Sequence, residues 1–361
     1  MREITMPFKN PPDFGEVCEV APGVLWARMP LPLALNHINV YLVDAGDGWM
    51  LIDTGMKGEQ TREYWRQIID TQLSGRPIVG VVCTHMHPDH VGLAGWLVDT
   101  YRVPLYMTMA EFFQAAVFSR PLQGHEVAAL GWRAEQYFSR SGLSESMIAQ
   151  VVKGMGGFAA AVESMPRSYT RLVDGERMQW GKHEWQVIVG RGHSPEHACL
   201  YCRDLGVMLA GDQIIADITP NVSVSAVEPE GQPLQHWLAS IERFKLLDDD
   251  ILLLPAHKLP FYGLHRRLFQ LQQHHENHLK AILAATATAK TALELLPVLF
   301  KRELPPGVLT LALGECIAHL HELIRRGVME RQLVEGVYAY RSLLSQNKAQ
   351  NNQQPDGYIA V

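Results

Sequence analysis

Thr84-His85-Met86-His87-Pro88-Asp89-His90 gathers three imidazoles and a carboxylate in one short stretch, directly after the apolar run Ile78–Val82 and directly before a helix-like segment. Neutral imidazole nitrogens and anionic oxygens together hold hard or borderline divalent cations at about 2.0–2.2 Å. Few core-packing needs call for such a cluster. Residues two apart on a helix point about 200° apart, so His85 and His87 can share an ion only where the chain is extended or turning. Pro88 favours that conformation by discouraging helix at His87. Asp89 and His90 then fall at the helix entrance, where Asp89 can cap and still turn its carboxylate into a cleft. Four donors from so short a segment crowd one tetrahedral ion and suit two adjacent ones.

More donors lie farther along, each just after a strand-like run: His193 in Gly192-His193-Ser194-Pro195-Glu196-His197, Asp212 in Ala210-Gly211-Asp212, and His257 in Leu254-Pro255-Ala256-His257. Strand ends gather at one edge of a sheet, where these side chains can meet. With Asp53 in Leu51-Ile52-Asp53-Thr54-Gly55, the series resembles the metallo-β-lactamase superfamily over roughly residues 20–260. The complete His-X-His-X-Asp-His motif is similar to that of its dinuclear hydrolases typified by glyoxalase II. The resemblance implies that His85, His87 and His193 hold one metal, that Asp89, His90 and His257 hold a second, and that Asp212 bridges them. It implies two divalent ions, Zn with Mn or Fe as alternatives, since nitrogen and oxygen donors without thiolate accommodate all three. Asp89 and Asp53 are the expected catalytic residues, Asp89 by assisting the leaving group and Asp53, like Thr84, by orienting ligating histidines. His197 is expected to stand behind the ligating residues, the alternative being that it only supports the His193 loop. Two positions depart from the commoner pattern: Glu196 stands where Gly is usual, and Lys258 follows the last histidine where Gly is frequent.

The chemistry follows from charge. Two divalent cations exceed the combined charge of Asp89, Asp212 and a bridging hydroxide by about one unit, so the site attracts electron-rich oxygen. The metals lower the pKa of bound water toward about 7 and polarise the group under attack. The expected activity is hydrolysis of a thioester or ester, in the manner of a hydroxyacylglutathione hydrolase or an acyl-CoA thioesterase, on a small-molecule acyl substrate. Phosphodiester or RNA cleavage is one alternative, and a ligand-sensing DNA-binding regulator is another.

The elements that must position these residues alternate between strands and helices. Strand signals at Gly23–Met29, Ile38–Asp44 and Trp49–Asp53 are joined by short turns, and they resume at Thr170–Val173, Trp185–Val189, Ala198–Tyr201, Val207–Ala210 and Ile251–Leu254. Short turns between strands favour two packed sheets over a wholly parallel one. The expected fold is α/β: an αββα metallo-β-lactamase sandwich over residues 1–263, with a helical insertion at about 110–165. Residues 264–344 are expected to form a helical linker and a winged-helix-like domain, and 345–361 a flexible polar tail. By analogy with related hydrolases, the insertion's Phe112, Phe113, Phe118, Tyr137, Phe138, Met147, Met155 and Phe158 are expected to roof the cleft, with Gly154–Gly157 as a hinge.

The 361 residues are 47% apolar and 19% charged, with a net charge of −6. From Tyr262 onward the balance is +3, against −9 before it. That asymmetry is milder than a dedicated nucleic-acid surface shows, so the C-terminal unit is expected to serve packing or homo-oligomerisation more than nucleic-acid binding. No membrane partner is expected, because runs such as Ile251–Leu254 fall far short of a span. Cytoplasmic retention is expected, because the start lacks an apolar core of signal-peptide length. Cys199 and Cys202 read as strand residues facing opposite ways, hence as buried thiols and not a metal pair. In His274-His275-Glu276-Asn277-His278 a zinc-protease pattern needs Glu after the first histidine. Position 275 is His, so a solvated helix face is expected.

Overall fold

The structure is a computed structural model and describes residues 1–32, 35–120, 131–154, 157–301, 304 and 306–344. The chain divides into two compact units, the first comprising Met1–Leu122, Met155–Pro220 and His236–Leu271, the second Gln123–Gly154, Asn221–Gln235 and Gln272–Val361. The strands are β1 Cys18–Ala21, β2 Val24–Pro30, β3 His37–Asp44, β4 Trp49–Ile52, β5 Ile78–Val82, β6 Leu105–Met107, β7 Thr170–Arg171, β8 Arg177–Trp180, β9 His183–Gly190, β10 His197–Cys202, β11 Val207–Gly211, β12 Leu252–Pro255, β13 Lys290–Thr291, β14 Met329–Val334 and β15 Val337–Ser342. The helices are α1 Glu59–Thr71, α2 Pro88–Val91, α3 Ala94–Tyr101, α4 Met109–Phe118, α5 Trp132–Arg140, α6 Glu145–Gly154, α7 Gly157–Ala161, α8 Pro233–Phe244, α9 Leu264–Ala285, α10 Ala292–Leu299 and α11 Pro306–Arg325.

In the first unit β1 to β7 form one sheet in sequence order, antiparallel as far as β4 and parallel from β4 to β7. A second sheet runs β12-β11-β10-β9-β8, with only the β11–β12 pair parallel. Alternation along the strands builds two cores. Val24, Trp26, Tyr41, Val43, Met50 and Ile52 face one way and pack with Trp185, Val187, Leu200 and Leu209 of the second sheet. Ala27, Met29, Val40, Leu42, Leu51 and Val81 face the other way, onto Trp65 and Ile68 of α1 and Leu97 of α3. On the second sheet, Arg243 of α8 donates to Val189 O at 3.0 Å. The result is the mixed α/β sandwich that the strand order predicts.

All five cysteines are free thiols, and Cys199 and Cys202 lie buried in β10. Cys202 joins the core between the sheets, while the Cys199 thiol donates to Ala210 O at 3.6 Å.

The second unit holds α5, α6, α10, α11 and a small sheet ordered β13-β15-β14. A reciprocal cap starts α10, with the Thr291 hydroxyl accepting from Glu294 N while the Glu294 carboxylate accepts from Thr291 N. The β14–β15 hairpin turns at Glu335 and Gly336, both with positive φ (49° and 87°), the geometry a two-residue hairpin loop requires. Within α11 the stretch Gly307–Arg325 is long and apolar enough to cross a membrane by length and composition, and 67% of its most apolar window is buried. Within the segment expected as one helical insertion the described residues include α4 to α7, and Gln123–Gly154 belongs to the second unit while the flanking parts belong to the first. Met155 and Gly156 of the expected hinge, and the tail 345–361, lie outside the described residues.

Candidate metal centre

The motif forms where β5 ends. His87 is the extended N-cap residue of α2 (φ −62°, ψ 149°), and Pro88 occupies the first helical position, where its missing N–H costs nothing. No side chain caps this helix, so the Asp89 carboxylate is turned inward. Its Oδ2 lies 3.3 Å from His257 Nε2 and 3.7 Å from His90 Nε2.

The predicted donors converge in two groups, His85, His87, His193 and Asp212 in one, and Asp89, His90 and His257 in the other, each with its ligand atoms within 4.8 Å of one another. His85 Nε2 is 2.8 Å from His87 Nδ1 and 3.3 Å from His193 Nε2. Asp212 stands between the groups. Its Oδ2 lies 3.4 Å from His193 Nε2, 3.9 Å from His85 Nε2 and 3.6 Å from His90 Nε2, while Oδ1 lies 3.5 Å from His257 Nε2.

Partners behind the rings fix which nitrogen faces the site. A carboxylate only accepts, so the Thr84 hydroxyl donates to Asp53 (2.9 Å to Oδ2) and His85 Nδ1 must donate to that hydroxyl at 3.1 Å. His90 Nδ1 donates to Asp53 Oδ2 at 2.8 Å, and His257 Nδ1 donates to His37 O at 3.0 Å. All three histidines therefore direct Nε2 at the site, the arrangement that carboxylate- and carbonyl-backed metal ligands use. Asp53 is held at φ 63°, and the contacts it makes with Thr84 and His90 make it a positioning residue.

His197 stands behind a donor residue and not only behind the His193 loop. Its Nε2 accepts from Asp212 N at 3.0 Å, so it steadies Asp212 more directly than the His193 loop. Gly211 makes room for that contact: at φ +50°, a Cβ there would meet the His197 ring at 2.5 Å.

Electrostatics match a cationic occupant. Burial, reinforced by the neighbouring histidines, holds His85 well below its ordinary pKa, and burial lowers His87 to about 3, so both offer neutral lone pairs. Burial opposes charge on His90 too, but Asp53, Asp89 and Asp212 outweigh it and lift His90 well above its ordinary value. Burial likewise opposes ionisation of Asp212, yet His257 and His90 hold it well below the usual carboxylate range. A pocket that forces positive charge onto a buried imidazole is one that divalent cations satisfy. His90 Nε2 and Asp212 Oδ1 are both buried without a hydrogen-bond partner, as metal-directed atoms would be. The donor set thus fits bound divalent metal.

Glu111 was not singled out by sequence. Fully buried on α4, its Oε1 accepts from Ser194 Oγ at 2.6 Å and from Glu196 N at 2.7 Å, while Oε2 accepts from Met86 N at 2.9 Å. One carboxylate therefore ties the His85–His90 loop to the His193 loop. The available signal was a lone acidic residue within the apolar segment Met109–Phe118. Glu196, a departure from the commoner pattern, docks the same helix: its Oε2 accepts from Ala110 N at 3.1 Å and its carbonyl from Thr108 Oγ1 at 2.7 Å. Lys258 takes a left-handed backbone (φ 68°), and its carbonyl accepts from Asn39 Nδ2 at 2.8 Å. Asn39 and Tyr41 both donate to Pro255 O, at 2.9 and 2.8 Å, which anchors the strand end that carries His257.

Residues 34–257 match the family described as Metallo-beta-lactamase superfamily, and residues 279–343 match one described as Metallo-beta-lactamase-like, C-terminal domain. Among solved structures, a beta-lactamase domain protein from Burkholderia ambifaria is similar with a TM-score of 0.86 and 37% identity, over 94% of this chain and 98% of that one. A probable metallo-hydrolase, YqjP of Bacillus subtilis (strain 168), is 25% identical over 319 residues, 83% of this chain and 92% of that protein. Acyl-coenzyme A thioesterase MBLAC2 of Homo sapiens is 23% identical over 205 residues, 53% of this chain and 63% of that protein.

Proposed function

The chain belongs to the metallo-beta-lactamase superfamily and is a metallo-hydrolase, and from that premise we propose that it cleaves a thioester or ester at a two-metal centre. His85, His87 and His193 would hold one ion, Asp89, His90 and His257 the other, with Asp212 shared. The observation that carries this reading is the position of Asp212, whose Oδ2 lies 3.4 Å from His193 Nε2 and 3.6 Å from His90 Nε2 while its Oδ1 lies 3.5 Å from His257 Nε2, so that one carboxylate reaches both donor groups. When bound, two divalent cations supply activated water at neutral pH and polarise the carbonyl under attack. Thr84 and Asp53 orient His85 and His90, His197 orients Asp212, and Glu111 fixes the spacing of the two ligand loops. Asp89, partly exposed at the second group, is the residue we assign to proton transfer toward the leaving thiol or alcohol. The donor set suits Zn, with Mn or Fe as substitutes.

The similarity to an acyl-coenzyme A thioesterase supports an acyl substrate. Against a nucleic-acid substrate stand the ion pairs of the C-terminal cations: Arg325 pairs with Glu322, Arg326 with Glu322 and Glu276, Arg331 with Glu230, and Arg341 with Glu330. We read the order β13, α10, α11, β14, β15 as winged-helix-like and assign it to packing or self-association.

The test loads the full chain with Zn, Mn or Fe and offers acyl-CoA and acylglutathione thioesters, carboxylic esters, alkyl sulfates and RNA. Thioester or ester turnover is expected, with His87→Ala losing active-site metal and activity together. Full activity in His87→Ala would overturn the ligand assignment. Salt-sensitive RNA cleavage, or sequence-dependent DNA binding without turnover, would replace the acyl reading.

A further inference from the structure

The run His274–His278 is not the solvated face that its pattern predicts. His275 is fully buried, His278 is 18% exposed, and the facing Glu315 of α11 is 12% exposed. We propose that His274, His278 and Glu315 form a third divalent-metal site, independent of the two-metal centre, that clamps α9 to α11 within the second unit.

Three observations carry this. First, His274 and His278 are one helical turn apart on the same face, with ring centroids 4.2 Å apart, and Glu315 completes a set whose ligand atoms all lie within 4.8 Å of one another. Second, His278 Nδ1 is buried without a hydrogen-bond partner and lies 3.9 Å from Glu315 Oε1. That gap is too long for a hydrogen bond, yet an ion making two bonds of about 2.1 Å can span it. Third, the carboxylate is prepared for the task. Asn221 Nδ2 donates to Oε2 at 3.1 Å, leaving Oε1 toward the histidines. Behind it, His319 Nδ1 donates to Glu315 O at 2.7 Å, and His319 Nε2 lies 3.1 Å from His275 Nδ1.

An ordinary ion pair does not account for the cluster. Mutual attraction would raise the histidine and lower the acid, whereas burial, with His274 beside it, pulls His278 down to about 4, and burial pushes Glu315 up to about 7. Neutral imidazoles and one carboxylate instead match the His₂Glu ligand set that zinc accepts. The residue after His274 is His275, not Glu, so the site lacks the general base of a zinc protease and serves to brace the helices.

The test strips the full chain with a chelator and titrates it with Zn²⁺ by calorimetry, counting equivalents. His278→Gln and Glu315→Gln are each expected to bind one equivalent fewer than wild type, with turnover at the main site within about twofold. The count is a difference between chains, so it reads out even if the acyl reading fails. Wild-type stoichiometry in both variants would overturn the proposal. If either variant is shown by circular dichroism to misfold, His278→Cys titrated with Co²⁺ replaces it. A thiolate-to-cobalt charge-transfer band is then expected, and its absence would overturn the site.

Discussion

Glu111 shows how one side chain outside the ligand set can govern it. Its two oxygens take three hydrogen bonds from two ligand loops, and burial raises its pKa against the pull of Ser194, Glu196 and Met86. In Glu111→Gln the amide nitrogen must face a donor wherever it turns, so one or more of these bonds is lost at a cost on the order of 1–3 kcal/mol. The urea midpoint is expected to fall, and metal affinity with it, by the roughly 10–100-fold typical of groups that support ligands. An unchanged midpoint with unchanged metal affinity would remove Glu111 from the site's support. Such a role was illegible in the sequence, because it arises from three partners distant along the chain. The ligands themselves were legible, because their types and local spacing already state the chemistry.

Among the elements, strands with long runs of β-branched, aromatic and other apolar residues, such as β2, β3 and β9, could be read directly. The three-residue β6 and the two-residue β13 could not, since they are too short to show a period and exist through their neighbours. The helix face at His274–His278 was misread for a related reason: polar residues mark a solvent face only when no other helix supplies partners, and α11 supplies Glu315 and His319. The strand end at Gly211 offers a test of local geometry. Gly211→Ala must adopt φ +50° and also displace the His197 ring, whereas Gly206→Ala, at φ +61° with nothing within 4 Å, suffers backbone strain alone. Both should lose about 1–2 kcal/mol to that strain. Only Gly211→Ala is expected to lose bound metal and turnover as well, and equal behaviour of the two would show that His197 does not position Asp212.

For the whole molecule, the proposed α9–α11 site makes stability depend on pH in opposite senses with and without metal. Glu315 faces His274 and His278 on α9, Asn221, and His319 on its own helix, and burial raises it from 4.5 to about 7. A carboxyl raised on folding favours the protonated folded state, so its contribution is present below about 4.5 and is lost as pH rises toward 7. Zn²⁺ needs the carboxylate, so metal-induced stabilisation should grow over the same window. Thermal unfolding with and without Zn²⁺ between pH 5 and 7.5 checks this, and Glu315→Gln should flatten both slopes by the share that Glu315 contributes, leaving that of the main centre. If the two chains share the same pH dependence, Glu315 does not titrate as stated.

His85, His87, Asp89 and His90 follow a strand of the seven-stranded sheet, while His193, Asp212 and His257 follow strands of the five-stranded one. Ions held there would act as a clasp over the seam of the sandwich. An ångström of slippage between the layers would spoil the cradle well before the fold melted, so metal retention in a chelating medium would report on how tightly the two sheets hold together.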